Sequence, residues 1–122
     1  LNASPNIGLI NTDIQYLNTI LSNLILNSIK YSPLGTDIVI EISEQDDFYK
    51  ILIKDKGIGI PENDKPYIFE PFHRGSNIGI ISGNGLGLSI SKMFLEVLGG
   101  TLEFDSKENF GTTFYITIPK SI

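Results

Sequence analysis

The stretch GNGLGLSISK, residues 83–92, sets glycines at 83, 85 and 87 and then runs straight into an apolar pattern of helical spacing. Glycine lets a backbone approach a partner closely, and the free N–H groups at a helix N-terminus attract anions. A phosphate is therefore the guest this stretch suits. Two familiar phosphate loops are excluded by their letters. No Lys followed by Ser or Thr closes a Walker loop, and Leu88 stands where the third glycine of a dinucleotide fingerprint belongs. The same letters also fit a glycine-rich turn entering an ordinary helix, so the surrounding chain has to decide.

Working outward, Gly99-Gly100 stops that helix, and TLEFDS (101–106) and TTFYITIP (112–119) form a strand pair around an Asn109-Phe110-Gly111 turn. Upstream, IVIEISE (38–44) and FYKILIK (48–54) form a second pair joined by Gln45, Asp46 and Asp47. Residues 13–32 predict a long helix, capped by Thr12 and Asp13, with an apolar face spaced through 14, 17, 20, 21, 24 and 28 or 29, where 28 is Ser and 29 is Ile, and halted by Pro33. KPYIFEPF, between the flanks of Pro66 and Pro71, predicts a short helical turn. Strands in pairs and helices with a face to bury predict an α+β fold: a two-layer sandwich with helices on one face of a mixed, largely antiparallel sheet.

Composition narrows the function classes. The 122 residues suit one domain. No apolar run of membrane-spanning length and no signal peptide is present, so a soluble chain without direct membrane contact is expected. Zero Cys and one His exclude disulfides, thiolate catalysis and multi-His metal sites. A net charge of -5 with no basic cluster argues against nucleic acid, yet is compatible with a single nucleotide bound through magnesium.

Two further places carry chemistry. On the first helix, at roughly 100° per residue, Asn23, Asn27 and Lys30 fall within about 60° of one another. Gln15, Asn18 and Ser22 already offer a separate face to solvent. If the first stripe faces a cleft, Asn27 offers a neutral oxygen to magnesium, Lys30 a charge to phosphate, and Tyr31 a flat ring to a base. The alternative is a second solvated stripe. After a strand, Asp55 precedes Gly57 and Gly59 in D-K-G-I-G-I. A carboxylate there accepts from an exocyclic amine, selecting adenine, while the glycines let a ring approach the main chain. An Asx-type turn is the structural alternative.

Taken in order, N-L-x-x-N-S-x-K-Y-S (23–32), D-x-G-x-G-I (55–60), F-E-P-F-x-R-G (69–75), G-x-G-L-G-L (83–88) and G-T-T-F (111–114) closely resemble the N, G1, F and G2 boxes, with a late glycine-threonine motif, of the catalytic ATP-binding domain of two-component sensor histidine kinases, in the GHKL superfamily. The resemblance covers essentially the whole chain and implies the Bergerat α/β sandwich. By resemblance, Asn27 and Asn23 face the magnesium of an ATP complex, Lys30 reaches a phosphate, and Tyr31 packs on adenine. Asp55 binds the adenine amine beside Gly57, Gly59 and Ile60, supported by Thr112. Residues 72–84 form a lid that carries Arg74 as a phosphate ligand. Gly83, Gly85, Leu86, Gly87 and Leu88 hinge the lid and cradle the nucleotide. Ser28 stands where alanine is usual, and Asn84 where Thr or Ser is commoner.

The ATP-hydrolysing relatives of the superfamily, gyrase and a chaperone among them, carry a glutamate base four residues before the metal-binding Asn, where this chain has Asn23. An amide does not take a proton from water near neutral pH, so bound ATP is expected to persist until a histidine on a separate dimerisation domain attacks. The sole histidine, His73, lies in P-F-H-R-G without the neighbours of an acceptor helix. The opening LNASPNIGLI resembles the end of the family's first strand. The expectation is a monomeric fragment of a cytoplasmic or membrane-anchored homodimeric kinase with a response regulator downstream. A non-catalytic ATP sensor and a serine-directed kinase of the same superfamily are the alternatives.

Overall fold

The computed structural model describes residues 11–70 and 87–120. Helix α1 spans Asn11–Tyr31, strands β1 and β2 span Val39–Glu44 and Phe48–Lys54, helix α2 spans Gly87–Leu98, and strands β3 and β4 span Thr101–Lys107 and Gly111–Pro119. A short 3-10 turn at Lys65–Tyr67 lies between β2 and α2. The four strands form one sheet in the order β1-β2-β4-β3, and every ladder between them is antiparallel. The strand end expected in residues 1–10 lies outside the described residues.

One face of the sheet carries the core. Along β4, Thr112, Phe114, Ile116 and Ile118 are buried while the residues between them are half-exposed. Their partners in register are Ile53 and Ile51 on β2 and Phe104 and Leu102 on β3, so a single alternating set of side chains lies on one side. Leu17, Ile20, Leu21 and Leu24 of α1 and Leu95 and Leu98 of α2 close over that set. Both helices therefore lie on the same face, giving the two layers that the strand pairing predicts. The long helix buries Leu17, Ile20, Leu21 and Leu24 as its spacing predicts, with Ile14 half-buried; at the next turn the buried residue is the polar Ser28, while Ile29 is 56% exposed. Helix α2 ends with the N–H of Gly99 donating to Glu96 O at 3.1 Å and that of Gly100 to Leu95 O at 2.8 Å. Gly99 takes a φ of 76°, so this is a Schellman stop, as the double glycine predicts.

Candidate functional site

The C-terminus of α1, the loop after β2 and the β3-β4 turn converge at one end of the sheet. Asp55 follows β2 directly and is buried at 8%. Its N–H donates to Thr112 O at 2.9 Å, which extends the β2-β4 ladder by one bond. Its carboxylate oxygen Oδ1 accepts from the N–H of Gly57 at 2.9 Å and from the N–H of Thr112 at 3.2 Å. The Asx turn and the binding role weighed for Asp55 are thus compatible. Two backbone donors saturate one oxygen and hold the side chain still, leaving Oδ2 as the oxygen without a partner among the described residues.

Three further bonds hold the loop. The N–H of Ile58 donates to Tyr31 O at 3.1 Å, satisfying an end carbonyl of α1, and the N–H of Asn109 donates to Ile58 O at 2.7 Å. The N–H of Ile60 donates to Ser106 Oγ at 2.8 Å. The glycines are required by this packing. Gly59 sits at a φ of 71°, and a Cβ there would lie 2.1 Å from Lys107 O. At Gly111, φ is 133°, and a Cβ would lie 2.2 Å from Asp55 O. A Cβ on Gly57 would lie 2.6 Å from Tyr31 O. The close approach that the glycines permit is thus to the protein's own backbone.

On α1, Asn23 and Asn27 are half-buried, Lys30 is exposed and Tyr31 is half-buried at the last helical position. Asn23 Nδ2 donates to Gly87 O at 3.4 Å, which ties α1 to the first turn of α2 and leaves the Asn23 amide oxygen without a partner among the described residues. Asn27 has no hydrogen-bond partner among the described residues. Ser28, in the place where alanine is usual, is 1% exposed, and its hydroxyl finds no partner among the described residues. Gly87 opens α2 and is exposed; Leu88, half-buried, packs against the core. The lid from 72 to 84, with His73, Arg74 and Gly83, and also Gly85 and Leu86, lies outside the described residues.

Residues 12–122 match the family described as histidine kinase-, DNA gyrase B- and HSP90-like ATPase. The chain belongs to this family. Among solved structures, it superposes on a mycobacterial sensor histidine kinase, MprB, with a TM-score of 0.81 at 30% identity, covering 90% of this chain and 76% of that one. The nucleotide-free catalytic domain of the histidine kinase ThkA gives a TM-score of 0.75 at 29% identity, over 88% of this chain and 69% of that one. The sensor histidine kinase WalK of Bacillus subtilis is 37% identical over 107 residues, 84% of this chain and 18% of WalK. The heme sensor protein HssS of Staphylococcus saprophyticus is 39% identical over 109 residues, 87% of this chain and 23% of HssS. The chain thus spans less than a quarter of the length of these two curated relatives.

Family membership classes the chain as a histidine-kinase catalytic domain, a transferase, with the Bergerat sandwich as its fold. Within the family, ATP binding with phosphotransfer is the function of the histidine-kinase domains. No helix among the described residues is long and apolar enough to cross a membrane. No cluster of three or more His, Cys, Asp or Glu able to hold a metal occurs among them either. Ser106 is the site residue that sequence reasoning missed. Its signal was parity: it lies on the core face of β3 with Leu102 and Phe104, directly across the ladder from Thr112.

Proposed function

We propose that this domain binds a magnesium–ATP complex and transfers the γ-phosphoryl group to a histidine on a separate dimerisation domain. The observation that carries the reading is the Asp55 carboxylate, held at Oδ1 by two backbone N–H groups and left with Oδ2 to receive a base amine. Asn27, half-buried and without a partner among the described residues, and Asn23, whose amide nitrogen is committed to Gly87 O, each have an amide oxygen to spare. Neutral oxygens in that number suit a magnesium ion that takes its remaining ligands from phosphate and water. When bound, the metal draws negative charge off the phosphate oxygens. Lys30 adds positive charge at the same helix face, and Arg74 is assigned a phosphate from its place in the F box. Tyr31 covers the base and Thr112 supports its amine; Gly87 and Leu88 close the cradle with Gly83, Gly85 and Leu86.

The chemistry left to the protein is positioning and charge neutralisation, because the partner domain brings the nucleophile. Asn23 takes the position of a hydrolytic glutamate and has no basic atom to activate water. In the parent, we place the domain in the cytoplasm, one copy in each half of a homodimer, with a response regulator as the next phosphoryl acceptor. Calorimetric titration of ATP, ADP and GTP, with and without magnesium, followed by an overnight phosphate assay, tests this. Adenine-selective, magnesium-dependent binding with almost no phosphate release is expected. Absence of binding overturns the reading, and steady phosphate release overturns the role given to Asn23. An acid-stable linkage on the phosphorylated partner would instead indicate a serine acceptor.

A further inference from the structure

We propose that Ser106 is a positioning residue that fixes the Thr112 hydroxyl as a hydrogen-bond acceptor toward the bound base. With Asp55, the site then presents two acceptors and selects an exocyclic amine. The inference rests on the nucleotide reading above and concerns what gives the site its preference among bases.

The argument is a count of protons. Ser106 Oγ has three neighbours: the N–H of Ile60 at 2.8 Å, the carbonyl of Gly111 at 3.0 Å and Thr112 Oγ1 at 2.8 Å. A hydroxyl carries one hydrogen and two lone pairs. The Ile60 amide can only donate and the Gly111 carbonyl can only accept. Ser106 therefore spends its hydrogen on Gly111 and receives from Ile60, and the Thr112 contact is a bond only if Thr112 donates. With its hydrogen committed to Ser106, Thr112 offers a ligand lone pairs alone. Ser106 is half-buried and Thr112 is 8% exposed, so solvent competes weakly for either hydroxyl.

The Thr112 N–H donates to Asp55 Oδ1, so the hydroxyl and the carboxylate are carried by one strand end and its partner loop. Asp55 Oδ2 is an acceptor as well. An amine carries two hydrogens and satisfies two acceptors, directly or through water. A carbonyl oxygen at the same place on the base would meet only lone pairs, and unmatched buried polar groups are what make such a site reject it.

ATP and ITP, which differ by the exchange of that amine for a carbonyl and by the hydrogen this puts on the neighbouring ring nitrogen, are the probes. With the intact domain and magnesium, calorimetry is expected to show ATP preferred. Ser106→Ala frees the Thr112 hydroxyl to turn and donate, and the ATP-to-ITP preference is expected to fall about fivefold, the worth of one ordinary hydrogen bond. Ser106→Thr, which keeps the hydroxyl, retains the preference. In a Thr112→Val background the same Ser106→Ala change leaves the ratio where it was. If Ser106→Ala does not fold, Ser106→Cys replaces the hydroxyl by a weaker partner and is read in the same way.

Equal weakening of both nucleotides, or an equal fall of the ratio without the Thr112 hydroxyl, overturns the proposal alone, since Ser106 would then serve only the loop. Failure of the unaltered domain to bind ATP overturns the nucleotide reading and this proposal together.

Discussion

At the scale of single residues, a role depends on which atoms are already taken. The Asp55 Oδ1 atom is held by two N–H groups, so an amide placed there keeps its oxygen at that position and turns its NH2 outward. Asp55→Asn is therefore expected to exchange an acceptor for a donor at the base. The ATP-to-GTP preference measured by titration should collapse while the fold stays intact. An unchanged preference would remove Asp55 from base selection. Asn27 has no partner among the described residues, so Asn27→Ala should leave the circular dichroism spectrum unaltered and abolish magnesium-dependent transfer to a supplied dimerisation domain. Undiminished transfer would refute its metal role. Away from the site, Tyr115 Oη donates to Asp105 Oδ2 at 3.1 Å, and that bond, ahead of desolvation and the Asp105 charge, raises the phenol above its ordinary 10.0. A raised folded value means the stabilisation is whole below the unfolded pKa and is lost as pH rises through the folded one. Alkaline titration of Tyr115 should therefore run high, and Asp105→Asn should lower it.

At the scale of elements, the site depends on three pieces of backbone meeting at van der Waals distance. The loop after β2 is seated on the end of α1 and against the β3-β4 turn by the bonds from Ile58 and Asn109. Gly59→Ala would place a methyl 2.1 Å from Lys107 O at a φ of 71°. The left-handed backbone alone costs about 1–2 kcal/mol. The displacement of the turn adds to it, for a total of about 3 kcal/mol or more and a fall in Tm of about 10 °C or more. Thermal unfolding checks this, and a Tm within about 2 °C of the unaltered domain would show that the turn moves aside freely. An aromatic series beyond the loop joins Phe69 to the core: Phe69 meets Phe104 edge-on at 5.8 Å, and Phe104 meets Phe114 at 6.2 Å. The ring of Phe69 also lies 4.9 Å from the Lys92 ammonium on α2. Phe69, the first residue of the F box, is thereby tied to β3 and α2 at once, which its sequence did not indicate.

At the scale of the whole molecule, α1 and β2 each bring one half of the proposed site, and the helices and sheet keep these halves at a fixed distance. Asn23 and Asn27 project from the flank of a helix whose adjoining stripe, at Ile20 and Leu24, is fully buried against the sheet. Asp55 extends from the end of β2, two residues after the buried Ile53. Mixing the domain with ATP and magnesium alone should give no phosphoprotein, whereas adding the partner domain should give an acid-labile one. Phosphorylation of the isolated chain would overturn the division of labour between nucleotide holder and acceptor.

The order of helices and strand pairs was legible in the sequence because hydrophobic period is a local property. Alternation marks β4 from 112 to 118, and the spacing from 17 to 28 marks α1. The family was legible too, because its boxes are short and stand in order along the chain. Only tertiary structure decided why those boxes have their letters. Gly57, Gly59 and Gly111 lie next to backbone that is distant in sequence. The pairing of β4 with β2 aligns Thr113 with Lys54, which brings Thr112 to Asp55. Beyond its parity on β3, nothing in the sequence singles out Ser106, since the three bonds that occupy its hydroxyl come from positions 60, 111 and 112. A hydroxyl donates or accepts according to its neighbours, and those neighbours exist only once the sheet has closed.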